Sequence, residues 1–163
     1  MSIKRMTSAA LMGAVTFVMA TSAMAQEAVV ELLAAPAGAE EWNVVSRSSA
    51  TVYMVDVKSI TSADGITSIK LARVPATGDV TDLSHSVGQV DFRCSSNQSR
   101  PGEDIIYAAD GSIEERINDG YDFDRIENNS LDSFVKNLAC GEDRSTQIYP
   151  SITAFIQAGR PSA

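Results

Sequence analysis

The sequence predicts an α+β domain: a small antiparallel β-sheet of about six strands packed against a C-terminal helix, with a disulfide joining a strand to that helix. Three observations predict it. Six short β-rich runs separated by turn residues fill the stretch from Trp42 to Ile117. Leu131, Phe134, Val135 and Leu138 then repeat at i, i+3, i+4 and i+7, the spacing of a helix packed along one face. Cys94 and Cys140 stand at the end of the fourth run and at the end of that helix.

In chain order, Lys4 and Arg5 precede an uncharged apolar stretch over residues 9–20, and Ala23-Met24-Ala25 sets small residues at −3 and −1 of a cleavage site before Gln26. The apolar core is about a dozen residues, short of the roughly 20 that a membrane-crossing helix needs. Residues 1–25 are therefore expected to be a cleaved signal peptide. No cysteine lies at the cut, so the expectation is an exported chain, periplasmic or extracellular, neither lipid-anchored nor inserted in the membrane. Residues 26–41 read as a linker or loosely docked segment, in which Val29, Val30, Leu32 and Leu33 give a brief apolar run before Ala35-Pro36-Ala37-Gly38 stops regular structure.

From Trp42 the composition turns to β-branched and aromatic residues. Residues 42–45 and 51–57 form an expected hairpin, with residues 46–50 as its polar connection. Tyr53, Val55 and Val57 are more uniformly apolar than Val52, Met54 and Asp56, so the odd-numbered set is expected to face the core. Residues 58–64 read as a turn ending in Asp64-Gly65, before Ile66, Ile69, Leu71 and Val74 mark a third strand closed by Pro75. The fourth runs over 86–94. Its Val90, Phe92 and Cys94 share one face, which aims the Cys94 sulfur at the core.

Ile105, Ile106 and Tyr107 form a fifth run, and Asp110-Gly111 predicts a type I′ turn into a sixth over 112–117. Residues 118–124 are a polar loop. Asn129 or Ser130 caps the expected helix, Asp132 places negative charge in its first turn, and Gly141 suits a left-handed terminator after Cys140. The tail, 142–163, keeps Ile148, Tyr149, Ile152, Phe155 and Ile156, enough for a short docked segment or helix after Pro150.

Cleavage would leave 138 of 163 residues, the size of one domain. The whole chain holds 13 Lys+Arg against 21 Asp+Glu, a net charge of −8; without Lys4 and Arg5 the balance is 11 against 21, or −10. An acidic surface argues against nucleic acid and anionic lipid as partners. In an oxidising compartment two thiols pair, and closing a loop of about 47 residues removes roughly 4 kcal/mol of unfolded-state entropy. There is no C-x-x-C spacing, and one histidine cannot complete a zinc set, so Cys94 and Cys140 are expected to form a structural disulfide and no cofactor or metal is expected.

The stretch from Trp42 to Gly141 resembles the surface-adhesin protein E-like domain of exported bacterial proteins. The resemblance rests on Trp42 opening a strand, Tyr53, Asp56 before Ser59-Ile60, Asp91 with Cys94, Tyr107, and Ser130 leading to Cys140. It implies a small sheet packed on a helix and a role as a binding module for host or matrix proteins, with dimers among its members. This chain departs from the adhesin pattern in lacking a lipid-attachment cysteine.

Catalytic signatures are missing. His85 is flanked by Ser84 and Ser86, but neighbours on a strand point to opposite faces, so they form no dyad. Asp119, Asp122, Asp124 and Glu127 read as a solvated acidic loop rather than a calcium site, because their spacing lacks the twelve-residue loop pattern. Asp56 and Asp91 are expected to accept backbone N–H groups near strand ends. Trp42, Tyr53 and Tyr107, on separate strands, read as core rather than contact surface. The expected role is thus a non-enzymatic envelope or secreted protein with a protein partner. The alternative is a small secreted enzyme or inhibitor using an acidic cleft.

Overall fold

A computed structural model describes residues 40–141 and 143–162. The expected signal peptide lies outside the described residues, as does the expected linker apart from Glu40 and Glu41. Among the described residues there are eight strands and two helices: β1 (Trp42–Arg47), β2 (Thr51–Ala63), β3 (Ile66–Pro75), β4 (His85–Arg93), β5 (Gln98–Tyr107), β6 (Ile113–Ile117), β7 (Asp124–Arg125), α1 (Leu131–Cys140), β8 (Ile148–Tyr149) and α2 (Ile152–Gln157). The strands pair antiparallel in one sheet of order β6-β5-β4-β3-β2-β1-β8, and β7 pairs with the start of β5. All six expected strands are present. The two additional ones are two-residue strands, too short to show alternation in sequence.

The expected turn over 58–64 is instead strand, and the connection shrinks to Asp64-Gly65. Both residues are left-handed, with φ of 53° and 78°, the geometry whose twist suits a two-residue hairpin. The polar residues that suggested a loop occupy an irregularity between Asp56 and Thr61. There Ser59 Oγ donates to the Asp56 carbonyl at 2.6 Å and accepts from Lys70 N at 2.8 Å, standing in for ladder bonds. The Asp110-Gly111 turn also differs. Only Gly111 is left-handed, with φ 82°. Its N–H donates to the Ala108 carbonyl at 2.9 Å, so the turn spans 108–111 and ends in a bulge, while Asp110 accepts from Ser112 N at 2.9 Å.

The sheet is buried on both faces. On one side Val55, Ile69, Leu71, Val90 and Phe92 pack against Val135, Leu138 and Ala139 of α1. On the other, Val52, Met54, Ala72 and Val74 join Trp42 and pack against Ile152, Phe155 and Ile156 of α2. Choosing the odd-numbered face of β2 as the core was therefore half of the answer; Val52 and Met54 are fully buried too. The second layer comes from the tail. β8 pairs with β1, Asn43 Oδ1 accepts from Ser145 N at 3.0 Å, and Ser151 caps α2 by accepting from Ala154 N at 3.0 Å. The helix expected to close the fold, α1, is followed by one that covers the opposite face.

Around α1 the disulfide forms as expected: Cys94 and Cys140 are joined with Cα atoms 5.8 Å apart, and Cys94 packs against the α1-side core. Ser130 is the N-cap and accepts from Ser133 N at 3.2 Å. Two details differ. Phe134 is 47% exposed, and Ala139 takes the buried place expected of it. Gly141 is extended, with φ −121° and ψ −162°. Glycine is required there by proximity, since a Cβ would lie 2.6 Å from the Asn137 carbonyl oxygen.

Arg160 locks the tail down. Its buried guanidinium donates to the carbonyls of Gly78, Asp79 and Asp82 at 3.1, 2.9 and 2.8 Å. Arg47 in turn donates to the Arg160 and Pro161 carbonyls. Replacing Arg160 with alanine removes three charge-assisted hydrogen bonds made by a buried guanidinium and is expected to cost about 3 kcal/mol. Lysine should restore only part of this, because a point ammonium cannot span the acceptors as a planar fork does. Urea unfolding of both variants checks the result, and a loss below about 0.5 kcal/mol for alanine would reject the lock.

Candidate binding surface

Helix α1 covers only part of its face of the sheet. Beyond it, cross-strand register sets Tyr53, Arg73, Ser86, Ile106 and Glu115 in one row over β2 to β6. Residues paired in this way share a face. The first four are half-buried and Glu115 is exposed. Beside the row Arg73 meets Asp104 at 3.3 Å. The pair lies flat on the strand because Gly88 leaves room: a Cβ there would fall 3.0 Å from Asp104 Oδ1 and 3.3 Å from Arg73 Nη1. At this exposure the pair contributes less than about 1 kcal/mol. Its effect is to shape a surface.

The row runs out to β6, the end of the sheet. Ile113 is 49% exposed, Glu114, Glu115 and Arg116 are exposed, and Arg116 meets Glu103 at 3.1 Å. Past β6 come Asp119, Asp122, Asp124 and Glu127, all exposed. Asp119 accepts from the Tyr121 hydroxyl at 3.0 Å. Among the described residues no three His, Cys, Asp or Glu side chains gather as a metal set.

On the α2 side a cleft of about 230 Å³ is lined by Glu40, Trp42, Lys70, His85, Tyr107 and Ser151 among others. His85 stacks on Tyr107 with ring centroids 4.4 Å apart and planes 6° from parallel. Its Nδ1 lies 2.7 Å from the Leu83 carbonyl, which can only accept, so Nδ1 carries the proton and Nε2 presents a lone pair. Burial holds the imidazole below its usual range, against the raising influence of the Leu83 carbonyl and of Glu40. The cleft brings one carboxylate to His85, that of Glu40, and its Oε2 accepts from the Trp42 indole at 2.8 Å. The three aromatics do not share one face: Trp42 and Tyr107 line this cleft, whereas Tyr53 lies in the row on the α1 side.

The two strand carboxylates differ from each other. Asp56 accepts from the backbone N–H groups of Glu41 and Lys58 at 2.9 and 3.0 Å, as expected of it. Asp91 instead accepts from side chains: Ser68 Oγ at 2.6 Å, Gln89 Nε2 at 2.7 Å and Arg100 Nε at 3.0 Å. The guanidinium carbons of Arg93 and Arg100 stand 4.0 and 4.5 Å from the centroid of the Phe123 ring. Sequence reasoning missed this cluster because its members come from β3, β4, β5 and the loop before β7. Burial raises the Asp91 carboxyl, but the bonds from Ser68, Gln89 and Arg100 outweigh it and hold the group below the ordinary value. A depressed carboxylate stabilises the fold above its unfolded value and loses that contribution as pH falls. Asp91→Asn should therefore lower stability at neutral pH and flatten its decline below about pH 4. Parallel acid-unfolding curves for the two proteins would contradict the assignment.

The described residues thus form a disulfide-stapled antiparallel sheet that they cover on both faces at one end and leave open at the other. Comparison with family models, with curated proteins and with solved structures yields no match.

Proposed function

We propose that this protein is an exported, non-enzymatic binding module, adhesin-like in action, that engages a protein partner through the open end of its sheet. One observation carries the reading: the sheet extends past both of its covering helices, leaving Tyr53, Arg73 and Ile106 half-buried in a row that ends at β6. Tyrosine and arginine are among the residues enriched at interface hot spots. The signal-like N-terminal sequence, the disulfide and the resemblance to the surface-adhesin protein E-like domain agree with an extracytoplasmic role. The His85 cleft gives the enzyme reading less support, because it offers a single carboxylate and that one is already engaged by Trp42.

The reading is tested by surface plasmon resonance on immobilised matrix and plasma proteins. The oxidised protein is expected to bind at least one of them, and Tyr53→Ala/Ile106→Asp should weaken that binding about tenfold or more. Phe134→Ala, exposed outside the row, should leave it unchanged. Binding that survives the double variant would place the site elsewhere, and no binding to any of these proteins would overturn the adhesin-like role.

A further inference from the structure

The acidic side chains are unevenly distributed. Residues 103–127 hold nine carboxylates (Glu103, Asp104, Asp110, Glu114, Glu115, Asp119, Asp122, Asp124, Glu127) and two arginines (Arg116, Arg125), a net −7 in a chain of net −8. Among the described residues, only Glu103 and Asp104 of the nine form ion pairs. The same segment supplies the end of the sheet. β6 pairs with β5 alone, so the outer main-chain N–H and C=O groups of Ile113–Ile117 have no strand partner among the described residues. At the opposite end β8 offers only two residues.

We infer that β6 receives an extended basic segment of a partner protein as an added antiparallel strand. An exposed edge is a template for strand addition, in which main-chain bonds supply affinity and alternate side chains supply selectivity. Along β6, Glu115 and Ile117, opposite Ile106 and Asp104, project to one face and Arg116, opposite Ile105, to the other; the bulge that leaves Glu114 unpaired sets Ile113 opposite Tyr107, on the Arg116 face. An incoming strand with apolar residues opposite the isoleucines and lysine or arginine opposite Glu114 and Glu115 meets complementary groups. A second copy of this chain fits worse, since a symmetric pairing centred on Glu115 sets that carboxylate against itself and joins two acidic bodies. Charges on edges ordinarily keep other strands away; here they exclude acidic strands and favour basic ones.

This inference rests on the binding-module reading and names the chemistry of its partner. The test uses the oxidised chain and a labelled, end-blocked lysine-valine peptide of about nine residues, long enough for a strand, with a central Val-Ser-Lys-Lys-Val to lie against Ile117–Ile113. Fluorescence anisotropy at about 0.02 and 0.15 M salt is expected to show binding that weakens with salt. A peptide of the same charge, N-methylated at alternate residues to remove main-chain pairing, should bind about tenfold more weakly or worse. Glu114→Lys/Glu115→Lys should have a similar effect, and a glutamate-valine peptide should not bind. Equal binding of the N-methylated peptide would reduce the interaction to charge alone and overturn strand addition. Absence of lysine-valine binding, or indifference to the charge reversal, would overturn it as well. Matrix-protein binding that depends on Tyr53 and Ile106 would still support the module if the peptide arm fails, and peptide binding without any matrix binding would support the edge site alone.

Discussion

Replacing Phe155 with alanine is expected to destabilise the protein by about 3–5 kcal/mol, the range for truncating a buried aromatic. The side chain is fully buried in the α2-side core and meets Tyr149 edge-on, with centroids 5.1 Å apart and planes at 74°. Such an aromatic pair adds about 0.5–1.5 kcal/mol beyond area burial. A domain of this size is stable by about 5–15 kcal/mol, so the variant would lose a large share of the total. Urea titration measures it directly, as a lower midpoint at unchanged slope. A loosely attached tail would give a change within about 0.5 kcal/mol, and that result would reject α2 as a structural layer.

The second large effect comes from the opposite face. Cys94→Ser/Cys140→Ser is expected to lose about 4 kcal/mol in the chain-entropy model, because the bridge closes a loop of sequence separation 46. Cys140 is exposed, so reductant in solution should reach the bond and lower the midpoint of the unaltered chain by a comparable amount. Mass spectrometry without reductant should find the oxidised chain two hydrogens lighter than the reduced one. Free thiols in the purified protein would sink the expectation. Because the disulfide and Phe155 sit on opposite sides of the sheet, their effects should add within about 0.5 kcal/mol.

Much of the architecture was legible in the residues. The six longer strands, the cap at Ser130, the helix through Val135 and Leu138, and the core-facing Cys94 all follow from alternation, 3.6-residue periodicity and local capping chemistry. What was misread had separate causes. Lys58, Ser59 and Thr61 looked like a turn because a strand that reaches past its covering layers has no need of apolar residues. Phe134 looked like core because helical spacing identifies a stripe without saying which side of it the sheet meets. Gly141 looked like a left-handed terminator, yet the restriction that selects glycine there is a carbonyl 2.6 Å from the missing Cβ, which is a contact and not a torsion.

The candidate surface was less legible than the fold. Tyr53 was visible as an aromatic on a strand, and the Asp119–Glu127 cluster as an acidic loop, but nothing in the sequence marked Arg73, Ile106 and β6 as their companions. Tyr53 and Ile106 are far apart in the chain and come together only through the register of three intervening strand pairings. The Asp91 cluster has the same character.

By itself the sequence determined the disulfide partners, the antiparallel strands between Trp42 and Ile117, the helix that ends at Cys140 and the acidic balance of the chain. Each of these follows from residue type and spacing within a few positions, or from there being only two cysteines to pair. The tertiary structure alone decided that the tail returns along β1 to cover a second face, that Arg160 fastens it to the Gly78, Asp79 and Asp82 carbonyls, and that β6 is, among the described residues, left as an open acidic edge. Those outcomes depend on which strands become neighbours and how far each helix reaches. Such contacts join residues distant in sequence, so local periodicity carries no trace of them.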